Sequence, residues 1–261
     1  MKKKNRKIGS INWIGATTLF YKECKRFLKV YQQTILAPAF TSLLFFLVIN
    51  VAIKERVNFA YNYMEFLAPG LIIMTMMQNA FANTSSSLLS SKVAGNIVDL
   101  LMPPFSVNEI IVAYTLAAII RSILVGFVTF IFMSYFVDFK VINLLNLLFY
   151  SIIGSIFLAL IGLIAGIWSE KFDNISAVTN FIITPLTFLS GTFYSIERLP
   201  HTFYIISLYN PFYYIINGFR NGFLDLGNKY LVYSITYLSI LIIILYILCY
   251  YILKKGWRLK S

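Results

Sequence analysis

The side chains able to do acid–base, nucleophilic or metal chemistry are few in this sequence, and they do not converge. There is one histidine, His201, beside Pro200, and ten carboxylates, nearly all at the ends of apolar stretches. A lone imidazole there reads as an interfacial polar group, and no His/Cys/carboxylate cluster of the kind a hydrolytic centre needs emerges. The two cysteines, Cys24 and Cys249, have neither metal-ligand spacing nor a disulfide framework around them. They read as small apolar residues. A phosphate cradle is missing too: no Gly-x-x-x-x-Gly-Lys-Ser/Thr run occurs, and the only lysine followed by Ser or Thr is Lys260. The chain is therefore expected to hold no catalytic residue, cofactor or metal, and any ATP chemistry must come from another polypeptide.

What must be positioned instead is a set of long apolar segments. Hydrophobic residues make up 59% of the 261 positions and charged residues 12%, about half the charge that a soluble domain carries. Such a surface needs lipid as solvent. The length allows one membrane domain over 1–261, without room for a second globular unit. A net charge of +12 would suggest nucleic acid in a soluble protein, but its location argues otherwise. Lys2, Lys3, Lys4, Arg6, Lys7, Lys22, Lys25, Arg26 and Lys29 precede Val30, and Lys254, Lys255, Arg258 and Lys260 follow Leu253. By the positive-inside rule both ends belong in the cytoplasm, which requires an even number of spans. No cleavable signal peptide is evident.

Residues 13–31 read as an amphipathic helix, with Trp13, Phe20, Cys24, Phe27 and Tyr31 on one face and Lys22, Lys25, Arg26 and Lys29 on the other. It would lie in the inner interface as an anchor, or also touch a cytoplasmic partner. Six stretches near the 20 or so residues of a transmembrane helix follow, at 34–53, 62–84, 109–136, 144–168, 174–191 and 230–253. The expected fold is thus an all-α integral membrane protein. The implied outer connections carry Lys54, Arg56, Lys140, Arg198, Arg220 and Lys229, fewer cations than the inner ones. Two connections are long enough to invite function. The inner one spans 85–108. The outer one spans 192–229, is rich in aromatics, and is broken at Asn210-Pro211 into two stretches too short to span, which predicts two short helices dipping into the outer leaflet.

Arg121 falls inside the third span, roughly 16–18 Å deep. A charge there must face protein, water or a partner. It either lines a pathway or locks the bundle, and Glu65 near the outer end of the second span is a candidate partner. Gly162-x-x-x-Gly166 in the fourth span lets helices approach closely, by default within one bundle.

The two long connections together resemble one family. The inner run Lys92-Val-Ala-Gly-Asn-Ile-Val-Asp-Leu-Leu-Met-Pro-Pro-Phe-Ser-Val-Asn-Glu109 resembles the coupling segment of ABC-2 type transporter permeases: a basic residue, a small one, an Ile, an acid, Leu-Leu and a Pro. Outside, Leu189-Ser-Gly-Thr-Phe-Tyr-Ser-Ile-Glu-Arg-Leu-Pro200 and Tyr209-Asn-Pro-Phe-Tyr-Tyr-Ile-Ile-Asn-Gly-Phe-Arg220 resemble that family's signature before its last span, with Gly191, Tyr194, Pro200, Asn210, Pro211, Gly218 and Arg220 as its marked positions. An Ala68-Pro69-Gly70 turn in the second span fits as well. Where many members carry Arg-Glu in the coupling segment, this chain has Ser91-Lys92.

The resemblance implies a homodimer of six-span subunits in a bacterial inner membrane, joined to two ATP-binding subunits that carry ATP and Mg. It implies export of a drug-like, lipid or glycan substrate. Lys92, Gly95, Asn96, Ile97, Asp99, Leu100, Leu101 and Pro103 would dock into the ATPase, with Ile97, Leu100 and Leu101 as an apolar knob. The second and fifth spans would line the route and the short outer helices would cap it. A secondary transporter is the main rival, but no Asp or Glu sits at midmembrane and no internal repeat is found. A lipid-modifying membrane enzyme fits less well for want of acids and metal groups. Outer aromatics such as Phe193, Tyr204 and Tyr213 read either as a stacking surface or as an interfacial belt.

Overall fold

Long apolar runs in lipid must satisfy their own backbone, so helices are the available answer. The computed structural model of the chain describes residues 12–53, 63–224 and 231–258, and every regular element among them is helical. The expected outer connection 54–61, the end of the 192–229 segment, Lys2 to Lys7 and Lys260 lie outside the described residues.

The elements are α1 (Trp13–Lys29), α2 (Ala37–Ile53), α3 (Tyr63–Val93), α4 (Val98–Leu101), α5 (Val107–Ser134), α6 (Leu144–Trp168), α7 (Phe172–Val178), α8 (Thr184–Phe188), α9 (His201–Tyr209), α10 (Pro211–Arg220) and α11 (Leu231–Lys255). A π-helical turn, Gln32–Leu36, leads into α2, and another, Thr179–Ile183, joins α7 to α8. Among the described residues, four helical stretches are long and apolar enough to cross a membrane: Gln32–Ala52, Val107–Ser134, Leu144–Trp168 and Leu231–Lys255. They coincide with the first, third, fourth and sixth expected spans.

The other two expected spans fall on helices of a different kind. The stretch expected at 62–84 falls on the N-terminal two-thirds of α3, which begins at Tyr63 and whose 31 residues run on to Val93, about 46 Å of helix. Its sequence is less apolar because Thr75, Asn79, Asn83, Thr84, Ser85 and Ser87 are buried against protein and need no lipid-compatible side chain. The stretch at 174–191 is a helix over residues 172–188 interrupted by its π turn. The Ala68-Pro69-Gly70 turn does not form. Pro69 removes one N–H, yet α3 continues through it.

The polar helix α3 forms the axis of the bundle, packed chiefly against α6 and α5. Small residues make the α3–α6 approach possible. A Cβ at Gly162 would stand 2.6 Å from the Phe81 carbonyl oxygen, and one at Gly166 would stand 3.0 Å from that of Ser85. Thr84 Oγ1 uses the proximity to donate to the Ala159 carbonyl at 2.9 Å. The expected break at Asn210-Pro211 is present: α9 ends at Tyr209 and α10 begins at Pro211, with the Asn210 side chain capping the new helix by accepting from Phe212 N at 3.1 Å. Gly162→Ala should lower stability by about 1–3 kcal/mol, as expected for overpacking. A thermal melt of the detergent-purified variant checks this, with Gly95→Asn, at an open left-handed position, as the tolerated comparison.

Candidate functional site

The elbow over residues 92–109 begins where α3 ends. Lys92 Nζ donates to the carbonyls of Ile167 at 2.7 Å and Ser169 at 2.6 Å. These carbonyls lie at the C-terminal end of α6, where partial negative charge accumulates. Burial pushes the Lys92 ammonium below its usual pKa; Glu170 counters this and Arg258 adds to it. The cation is thus committed to its own chain. Gly95 then turns the backbone with φ +72, and a side chain there would meet open space, so conformation and not room selects glycine.

The four-residue α4 divides the elbow into two faces. Ile97 and Leu100 are buried against Leu19, Leu88, Ile110, Tyr114 and Leu163. Asn96, Val98, Asp99, Leu101 and Met102 are exposed, Met102 at 79%, and Pro103 is half-buried. Of the knob expected from sequence, only Leu101 faces outward; Ile97 and Leu100 anchor the elbow from within. Its return is pinned by a capping box, in which Ser106 N donates to Glu109 Oε2 at 2.9 Å and Glu109 N donates to Ser106 Oγ at 3.3 Å. The other oxygen of Glu109 accepts from Asn12 N at 2.8 Å. One carboxylate therefore joins the starts of α1 and α5.

Helix α1 itself differs from its expected orientation. Leu19, Glu23 and Phe27 are buried, while Trp13 and Tyr31 are exposed. Glu23 tolerates burial because its Oε2 accepts from Ser87 Oγ at 2.6 Å and from Arg26 Nε at 3.2 Å. Arg26 also reaches Asn83, with Nη2 2.8 Å from the carbonyl oxygen and 3.0 Å from Oδ1. Arg26 thus belongs to the latch on α3 and not to the basic outer face. Asn79, Asn83 and Ser87 recur every four residues on α3, the one signal in the sequence that a polar stripe awaited partners.

Arg121 takes up the deepest position on this stripe, donating from Nη2 to Asn79 Oδ1 at 2.9 Å. Glu65 lies fourteen residues from Asn79 on the same helix, about 21 Å along its axis. The proposed pair is therefore not brought together, and Arg121 reads as a bundle charge.

The signature over residues 189–220 assembles around Arg220. Its Nε donates to the Phe66 carbonyl at 3.0 Å, and Nη2 donates to those of Gly191 and Thr192, each at 3.1 Å. The guanidinium lies 3.7 Å from the centroid of the Phe66 ring. Gly191 has φ +75, and Gly70 leaves the room: a Cβ there would stand 2.7 Å from Arg220 Nη2. Asn210 Nδ2 donates to Leu186 O at 2.6 Å, and Tyr194 Oη to Phe188 O at 3.0 Å. Gly218 lies against the Tyr150 ring of α6, and Pro200 precedes α9.

Residues 16–224 match the family model described as ABC-2 type transporter. The chain belongs to the ABC-2 type transporter family. It is 34% identical to the inner membrane transport permease YadH of Escherichia coli K12 over 251 residues, which covers 95% of this chain and 98% of that protein. The permease of the same name from Shigella flexneri matches at the same identity and coverage. This ABC-2 protein is accordingly a membrane transport permease subunit of an ABC transporter, and family membership implies an ATP-binding partner.

In this ABC-2 permease, sequence reasoning missed Glu23, Asn79, Asn83 and Ser87, each of which carries a contact between helices. Glu23→Ala should remove the acceptor from Ser87 and leave Arg26 without its counter-charge. The expected loss is about 3 kcal/mol, at the low end for a broken buried pair because Arg26 remains partly solvated. A double-mutant cycle with Ser87→Ala, read by thermal melting, should give non-additive effects; strict additivity would place the two residues in independent environments.

Proposed function

We propose that this chain is the permease half of an ATP-driven exporter in a bacterial inner membrane. Two copies, each crossing six times with both termini in the cytoplasm, work with two copies of a separate ATP-binding subunit that holds ATP and Mg. The four apolar crossing helices are joined in this reading by α3 and by the 172–188 helix. The substrate is drug-like, lipid or glycan, and moves outward from the cytoplasm or inner leaflet.

The observation that carries the reading is the two-faced elbow. Its inner face is fastened at Ile97, Leu100 and Lys92, while Val98, Asp99, Leu101 and Met102 are exposed together. A segment held this firmly on one side and bare on the other suits a docking surface that transmits force. A push on α4 passes to α3 through the buried leucine, from α3 to α6 through Lys92, and to α5 through the Ser106–Glu109 cap. The bundle then alternates between two arrangements. At the far end the same α3 meets Arg220, so the cap moves with the lever.

Leu101→Glu with Met102→Glu should abolish co-purification with the ATP-binding subunit, while membrane insertion and the melting temperature stay near wild type. Leu100→Ala should behave in the opposite way, losing about 2–5 kcal/mol of stability while the folded fraction still captures its partner. Undiminished capture by the double glutamate variant removes the elbow from the interface.

A further inference from the structure

The last turn of α11 builds a feature that neither transport nor ATPase docking uses. α11 closes with a Schellman turn: Trp257 N donates to Ile252 O at 3.4 Å and Gly256 N to Leu253 O at 3.1 Å. Gly256 supplies the left-handed residue this motif requires, at φ +64. The reversal brings Trp257 alongside the helix instead of beyond it. An open surface cavity of about 820 Å³ is lined by Tyr251, Ile252, Lys254, Lys255 and Trp257.

The chemistry of that lining is mixed in a particular way. Tyr251 and Trp257 are both exposed aromatics of the type that sits at headgroup depth. Lys254 and Lys255 have stems long enough to follow an apolar wall and still present their ammonium groups to an anion. Arg258 adds a third cation nearby; it donates to Trp168 O at 3.1 Å and has Glu170 3.8 Å away as its acid. Along α11 from the cavity runs an uncovered apolar stripe of Ile240, Ile244, Ile247 and Tyr251. An acyl chain and a phosphate, joined by one glycerol, match this order of stripe, aromatics and lysines.

We propose that the Gly256 turn forms a specific site for an anionic phospholipid, the phosphate on Lys254 and Lys255, the glycerol between Tyr251 and Trp257, and a chain along the α11 stripe. Lysines at a membrane surface hold anionic lipid more strongly by roughly fivefold each. Placing the lipid in the inner leaflet rests on the orientation given above, but binding itself does not.

The test therefore uses discs of uniform composition, in which orientation drops out. The ATPase–permease complex is assembled in discs of phosphatidylcholine and phosphatidylglycerol at three to one, extracted gently, and its retained lipids counted by native mass spectrometry. Wild type should retain phosphatidylglycerol in excess of its share. Lys254→Gln with Lys255→Gln should lose that excess at least tenfold with phosphatidylcholine unchanged, and Lys254→Arg with Lys255→Arg should keep it. Trp257→Ala, with the lysines intact, should weaken retention as well, which covers a double variant that fails to assemble. Equal retention by wild type and the Gln pair overturns the site. So does a fall in both lipids together with loss of the permease dimer, since the stripe would then be a contact between copies. Failure of the transport reading would appear separately, as loss of the ATP-binding subunit from the wild-type complex.

Discussion

The structure depends on one constraint: α3 carries a polar stripe at the centre of an apolar bundle, and its buried hydrogen-bonding groups must be met by protein, as they are apart from Asn83 Nδ2. An amide or hydroxyl left unpaired away from water costs several kcal/mol. The partners arrive from every side. Glu23 and Arg26 come from α1, Arg121 from α5, the Ala159 carbonyl from α6, and Arg220 from α10. Each satisfied group also fixes the helix that supplies it, so satisfying α3 and assembling the bundle are the same event.

This arrangement explains why the two ends of the molecule are built so differently around a common rod. At its C-terminal end α3 runs into an elbow whose backbone turns at Gly95 and whose cation closes the C-terminus of α6. At its N-terminal end the same helix offers the Phe66 carbonyl and ring to Arg220, which simultaneously gathers the Gly191 and Thr192 carbonyls. No acid is among those partners. Three carbonyl dipoles and an aromatic face solvate the cation, which ties the outer turn to α3 through directional bonds. In the mechanism we propose, a displacement of the elbow is carried along this continuous helix of about 46 Å.

Much of this was legible in the chain, and the reason differs by element. Long apolar runs announced four crossing helices because lipid imposes that length. The Asn210-Pro211 break was legible because proline and an Asx cap act locally. The elbow's position followed from motif resemblance, but its register did not. In a four-residue helix, burial of Ile97 and Leu100 instead of Leu101 goes with the cluster they join, whose members Leu19 and Leu163 are far away in sequence. Glu23 looked like a surface acid in a basic helix because its acceptor role appears only when Ser87 is placed opposite. Arg121 was sought against an acid, whereas a neutral Asn79 one turn below Thr75 supplies its contact. Polar pairs between helices leave a weak trace in one sequence, since an Asn or Ser every fourth position carries little signal until its partner is known.

The central claim is that α3 joins elbow and cap as one rigid body. It is tested most directly by spin labels at Val93 and Tyr209, both exposed, in a complex where labelled copies are diluted with unlabelled ones so that only distances within a protomer are read. The account predicts the same distance distribution with and without ATP trapped on the partner subunit, while labels on opposing protomers move apart or together. A change within the protomer by a helical turn, about 5.4 Å, would contradict it.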